Sequence, residues 1–151
     1  MTEFGRFCLT GYGRNSIISP HHDGAEARTV GQNGDFMFAI NFYSEAYADM
    51  LRKGRKTATV RLGDKSGKYQ SGQVVWVTVG RKYGPRQKLF CAIIDSVTVK
   101  TASELTPREI EKESPEFRRV EDIINLLSRM YDCPVSPEDI VTIIQFSRIL
   151  E

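Results

Sequence analysis

The sequence predicts an α+β protein, mainly β: a small mixed β-barrel of about five or six strands with short peripheral helices. Three observations lead there. Runs rich in β-branched and aromatic residues recur at strand length, bounded by glycine, proline and serine. Well-punctuated helix starts lie between them. The regular strand–helix alternation of a doubly wound parallel sheet is missing, as are internal repeats. The 151 residues suit one domain whose core needs no disulfide staples.

Residues 1–34 read as a glycine-bearing arm or tail, in which Phe7-Cys8-Leu9 has the makings of a short strand. The core domain is expected from Asp35 to Glu151. Phe36 to Phe42 reads as its first strand. A short helix follows, with Ser44 as N-cap, Ala46, Tyr47, Met50 and Leu51 as its apolar stripe, and Gly54 just past its end. Thr57–Arg61 and Val74–Val79 are strands on composition, separated by a loop holding Gly63, Gly67 and Gly72. A basic turn around Gly84-Pro85 leads into a long strand from Leu89 to Lys100.

Thr106-Pro107-Arg108-Glu109 is a capping box with proline at the first helical position, and its helix should stop near Ser114-Pro115. Val120, Ile123, Ile124, Leu127, Met130 and Tyr131 mark one face of another helix. Ile140–Ile149 is apolar enough for a central strand.

A composition of 40% hydrophobic and 26% charged residues excludes wholesale disorder and a coiled-coil rod. No stretch is long and apolar enough to span a membrane, and Met1–Thr10 lacks a secretory pattern. Three widely spaced cysteines, Cys8, Cys91 and Cys133, suit a reducing compartment, so a cytoplasmic location is expected. His21-His22-Asp23 lacks a second ligand pair and reads as ordinary tail, so neither a metal nor any other cofactor is expected.

The net charge of +2 conceals a strong polarity. Residues 51–100 carry twelve basic and two acidic side chains, while both flanking thirds are net acidic. Two acid-free clusters dominate: Arg52, Lys53, Arg55, Lys56 and Arg61, then Arg81, Lys82, Arg86 and Lys88. Gathering like charges lowers stability unless a partner needs them, and phosphate is the common partner. Tyr83 in the second cluster is a candidate for stacking on a base, whereas Trp76, inside a valine-rich strand, reads as core. Gly63-Asp64-Lys65-Ser66-Gly67-Lys68 falls one residue short of a P-loop and has Tyr69 where Ser or Thr belongs, so Lys65 and Lys68 suit an RNA phosphate better than a nucleoside triphosphate.

The densest constellation is Gly54-Arg55-Lys56-Thr57-Ala58-Thr59-Val60-Arg61. In a strand, Thr57, Thr59 and Arg61 share a face over which Lys56 can lean. A lysine, a hydroxyl and an arginine so placed form an anion or oxyanion pocket. Basic neighbours should depress the Lys56 pKa and suit it to act as a base. The same spacing is also satisfied by a capped helix running into an exposed edge strand.

The segment resembles the G-x-K-x-x-T-x-R signature of the ASCH domain family, similar in fold to the PUA RNA-binding barrels. The resemblance covers roughly residues 36–150 and implies a PUA-like barrel associated with RNA or a modified nucleoside. Small members of the family remove the acetyl group from N4-acetylcytidine. By position, the resemblance places the activating lysine at Lys56, the nucleophile at Thr59 and the acid/base carboxylate at Glu113, with Glu111 as the alternative register. Arg55 or Arg61 would then bind the oxyanion or a phosphate. The chain departs from the compact members in its N-terminal arm and its longer helical region. A non-catalytic RNA-binding module is the alternative expectation, and a ribonuclease using the same lysine a further one.

Overall fold

The computed structural model describes residues 29–30 and 36–150. Phe7-Cys8-Leu9 and His21-His22-Asp23 lie outside the described residues. Strands β1 (Thr29–Val30) and β2 (Phe36–Met37) pair as a short antiparallel ribbon. Strand β3 (Ala39–Phe42) then joins a different sheet. The single strand expected from Phe36 to Phe42 is therefore two. The chain changes partners at Phe38, whose carbonyl accepts from the Trp76 amide at 3.0 Å.

Helix α1 (Ala46–Arg52) follows. Glu45 occupies its N-cap position, but the Ser44 hydroxyl accepts from the Ala46 amide at 3.2 Å. Gly54 ends the helix at φ +70°, a conformation that glycine adopts without steric cost. The main sheet continues with β4 (Ala58–Leu62), β5 (Val74–Gly80), β6 (Arg86–Thr101) and β7 (Ile140–Arg148). Between β6 and β7 lie a 3₁₀ turn (Ala102–Glu104), α2 (Pro107–Glu113) and α3 (Val120–Tyr131). The capping box is present as expected, with the Thr106 hydroxyl accepting from the Glu109 amide and Glu109 accepting from the Thr106 amide.

Sheet order is β3-β5-β6-β7-β4, with β3 parallel to β5 and every other pairing antiparallel. Irregular registers between Val77 and Thr78 and between Ile94 and Ser96 help the sheet bend. It curls into a half-barrel whose edges, β3 and β4, approach each other. Inside the curl sits one core, including Ile40, Phe42, Val77, Ile94, Ile144 and Phe146. A second core fills the space between the sheet and helices α2 and α3, including Val60, Leu62, Ile110, Ile123, Leu127 and Ile143. Strand β7 serves both, which is why its apolar residues run together instead of alternating.

Two core assignments change. On α3, Val120, Ile123, Ile124, Leu127 and Tyr131 pack in the second core as expected, but Met130 is 40% exposed and Leu126 is buried. Trp76 is half-buried on the face of β5 opposite Val75, Val77 and Val79, with the Lys88 ammonium 3.0 Å from its ring centroid. It therefore belongs to neither core. Its cross-strand partner Cys91 is half-buried too.

The β5–β6 turn is tight at its base. A Cβ on Gly80 would lie 2.4 Å from the Pro85 carbonyl oxygen and 2.9 Å from the Arg86 Cα. Both obstacles are backbone, so they cannot swing aside. Gly80→Ala is expected to lower stability by about 1–3 kcal/mol in urea unfolding. A midpoint unchanged from wild type would contradict this packing.

Candidate functional site

The constellation around Lys56 gathers in the seam between the two edge strands. Lys56 leaves the α1–β4 turn and is 1% exposed. Its ammonium donates to Glu113 Oε1 and to the Glu113 main-chain carbonyl, both at 2.5 Å. Glu113, 3% exposed, is the last residue of α2. A carboxylate at a helix C-terminus meets the negative end of the helix dipole, and the ammonium offsets that repulsion while satisfying an orphan carbonyl. The other carboxylate oxygen accepts from the Val60 amide at 2.7 Å, and the Thr57 amide donates to the Lys112 carbonyl at 3.3 Å. The end of α2 is thus bound along the outer edge of β4.

Lys56 also lies over two rings, 5.2 Å from the Phe42 centroid and 4.9 Å from that of Tyr47. Burial is the largest influence on its amine and pulls the pKa below the ordinary lysine value; Glu113 opposes this, and Arg61 adds to it. The direction matches the expectation, but burial is the main cause, and Arg61 is the basic neighbour that contributes. The adjacent basic residues Arg52, Lys53 and Arg55 are exposed on the helix end and turn, where water screens them. Burial and the Glu113 carboxylate also push the Tyr47 phenol upward.

Thr59 and Arg61 share the inner face of β4, while Ala58, Val60 and Leu62 face the helices. The Thr59 hydroxyl accepts from Arg61 Nε at 3.2 Å. Arg61 Nη2 donates across the seam to the Asn41 carbonyl of β3 at 2.8 Å. The Arg61 guanidinium lies 5.5 Å from the Phe42 centroid, so one ring serves both buried cations. Among the described residues, Lys56 and Thr59 are not hydrogen-bonded to each other.

The other sequence candidates fall elsewhere. Glu111 is exposed and lines a groove of about 720 Å³ with Arg55, Thr57, Arg108 and Lys112. The carboxylate paired with Lys56 is therefore that of Glu113, and Arg55 is not joined to the buried cluster. Lys65 and Lys68 belong to the β4–β5 loop, with Lys68 5.2 Å from the Tyr69 ring centroid. Arg81, Lys82 and Tyr83 are exposed in the β5–β6 turn, and Arg86 opens β6.

Sequence reasoning missed Asn41, Phe42 and Tyr47. Asn41 was the one legible signal: a polar residue inside an apolar strand, 2% exposed. Its side chain accepts from the Thr78 hydroxyl at 2.8 Å and donates to the Gly80 carbonyl at 3.2 Å.

Among the described residues, no cluster of three or more His, Cys, Asp or Glu side chains could hold a metal ion, and no helix is long and apolar enough to cross a membrane.

The curled sheet and its helices define a small PUA-like half-barrel. No protein-family model matches the chain, and no curated protein matches it by sequence. Three solved structures share its shape. An ASCH domain from Lactobacillus crispatus aligns with a TM-score of 0.54 and 16% identity, over 90% of this chain and 94% of that one. A protein from Enterococcus faecalis aligns at 0.57 and 13% identity, over 99% and 94%. A hypothetical protein aligns at 0.50 and 15% identity, over 74% and 97%. The chain has the fold of the ASCH domain.

Proposed function

We propose that this ASCH-fold protein acts on RNA or a modified nucleoside and hydrolyses an N4-acetylcytidine-type amide at Lys56, Thr59 and Glu113. The observation that supports this reading is the buried Lys56–Glu113 pair in the seam that also holds the Thr59 hydroxyl.

An ion pair that shifts one proton becomes an amine and a carboxylic acid, which supplies a base and an acid together. The lowered amine pKa favours that exchange. Thr59 Oγ adds to the acetyl carbonyl carbon and yields its proton to the Lys56 amine. The carbonyl oxygen becomes an oxyanion beside the Arg61 guanidinium. Collapse breaks the C–N4 bond, and the Glu113 carboxylic acid protonates the departing amine. Water then cleaves the acyl-threonine ester, releasing acetate and restoring the hydroxyl.

The test incubates pure protein with a nucleoside panel and separates the products by chromatography. Wild type is expected to convert N4-acetylcytidine to cytidine and acetate. Thr59→Val, which keeps the side-chain volume, should lower turnover roughly 10³-fold or more. No wild-type turnover of any panel member, free or within an RNA oligomer, would refute the hydrolase reading.

A second reading, a non-catalytic RNA-binding module, draws on the closed hydrogen bonding of the buried cluster: the Lys56 ammonium is bonded to Glu113 and the Thr59 hydroxyl to Arg61. RNA binding without turnover would favour it.

A further inference from the structure

We infer that the β5–β6 turn is a reader of single-stranded RNA, so that the substrate is a nucleotide within a strand and its neighbour is held by the turn. This rests on the RNA-directed reading above and names the substrate class for the same seam.

The turn and the seam are joined by hydrogen bonds. Thr59 Oγ1 accepts from Arg61 Nε, and Arg61 Nη2 donates to the Asn41 carbonyl. Asn41 Nδ2 then donates to the Gly80 carbonyl at the base of the turn. Tyr83 is three positions on from Gly80, a reach of about 10 Å at most. The turn therefore begins where the buried network ends.

Its surface combines the two features that single-stranded nucleic acid requires. Tyr83 is 73% exposed and held at φ +62°, which is uncommon for a residue with a side chain. A largely exposed aromatic ring can stack on any base. Lys82 lies 5.5 Å from the Tyr83 ring centroid, Arg81 is exposed beside it, and Arg86 and Lys88 open the next strand. No acidic residue occurs from Arg81 to Lys88. Phosphates would meet these cations while a base lies on the ring.

This division of labour predicts substrate preference. A free nucleoside lacks the neighbouring nucleotide that the turn would hold. An acetylated cytidine with flanking nucleotides engages both.

The experiment measures binding by fluorescence anisotropy with a labelled single-stranded RNA oligomer holding one N4-acetylcytidine, an unmodified oligomer and an RNA duplex. Turnover of the acetylated oligomer is compared with that of the free nucleoside. Tyr83→Ala is expected to weaken oligomer binding about 5- to 100-fold. Wild type should turn over the acetylated oligomer at a lower KM than the free nucleoside. Arg81→Gln with Lys82→Gln should reduce the slope of log affinity against log salt by about 1.4. All these positions are exposed, so the variants should retain the wild-type melting temperature.

Binding that tracks Tyr83 without turnover of either substrate would refute the hydrolase reading and uphold the reader. Equal affinity for duplex and single strand, or oligomer binding unaffected by Tyr83→Ala, would overturn the reader even if the nucleoside is hydrolysed.

Discussion

Lys56→Met is expected to destabilise the fold by about 3–5 kcal/mol, read by urea or thermal unfolding. The substitution leaves the Glu113 carboxylate buried at a helix C-terminus with its compensating cation gone. Most of that loss is the penalty of an unpaired charge. Lys56→Met combined with Glu113→Gln should therefore recover much of it, because the amide is neutral and still offers an oxygen to the Val60 amide. If the two substitutions simply add, the two side chains are not coupled in the way the distances imply.

The pair also gives stability a pH dependence of known sign. The folded amine has a lowered pKa, whereas an unfolded lysine titrates near the ordinary 10.5. Between those values the unfolded chain binds more protons at this group. Wild-type stability from Lys56 therefore rises as pH climbs through that window and is lost as pH falls through the folded value. Lys56→Met should lack this contribution. A difference curve between the two proteins that slopes the other way would refute the assignment.

Leu127→Ala is expected to cost about 2–5 kcal/mol by the same measurements. Leu127 is fully buried in the core between the sheet and the helices, where close packing leaves little room for neighbours to collapse. It does not belong to the seam. Turnover per folded molecule should remain that of wild type below the lowered melting temperature. A cost under 1 kcal/mol would show that α3 is not packed as the structure places it.

These two residues illustrate what the chain discloses locally. Leu127 announces itself through helical periodicity, and the strands flanking it through β-branched composition, because both signals repeat over neighbouring residues. The Thr106 capping box is local in the same way. Met130 departs from the expected stripe because the apolar face turns with the helix, and only the docked partner decides which of its borders is covered.

The Lys56–Glu113 pairing has no local signature: the partners are 57 positions apart, and only the family resemblance assigns both to one site. Asn41 is legible only as a polar residue inside an apolar strand; its partners, 20 residues away at Arg61 and 39 at Gly80, are not. Curling a sheet until its two margins meet creates neighbours that no short window contains. The break at Phe38 arises likewise, because a strand-forming run cannot reveal that its two halves pair with different strands.

The bond from Glu113 to the Val60 amide carries a consequence beyond chemistry. Strand β4 ends the sheet, and an open margin offers its donors to any extended chain that comes near. Here a carboxylate from the same molecule already fills that position. Glu113→Ala, which leaves the Val60 amide without that partner, should therefore raise self-association, read by light scattering.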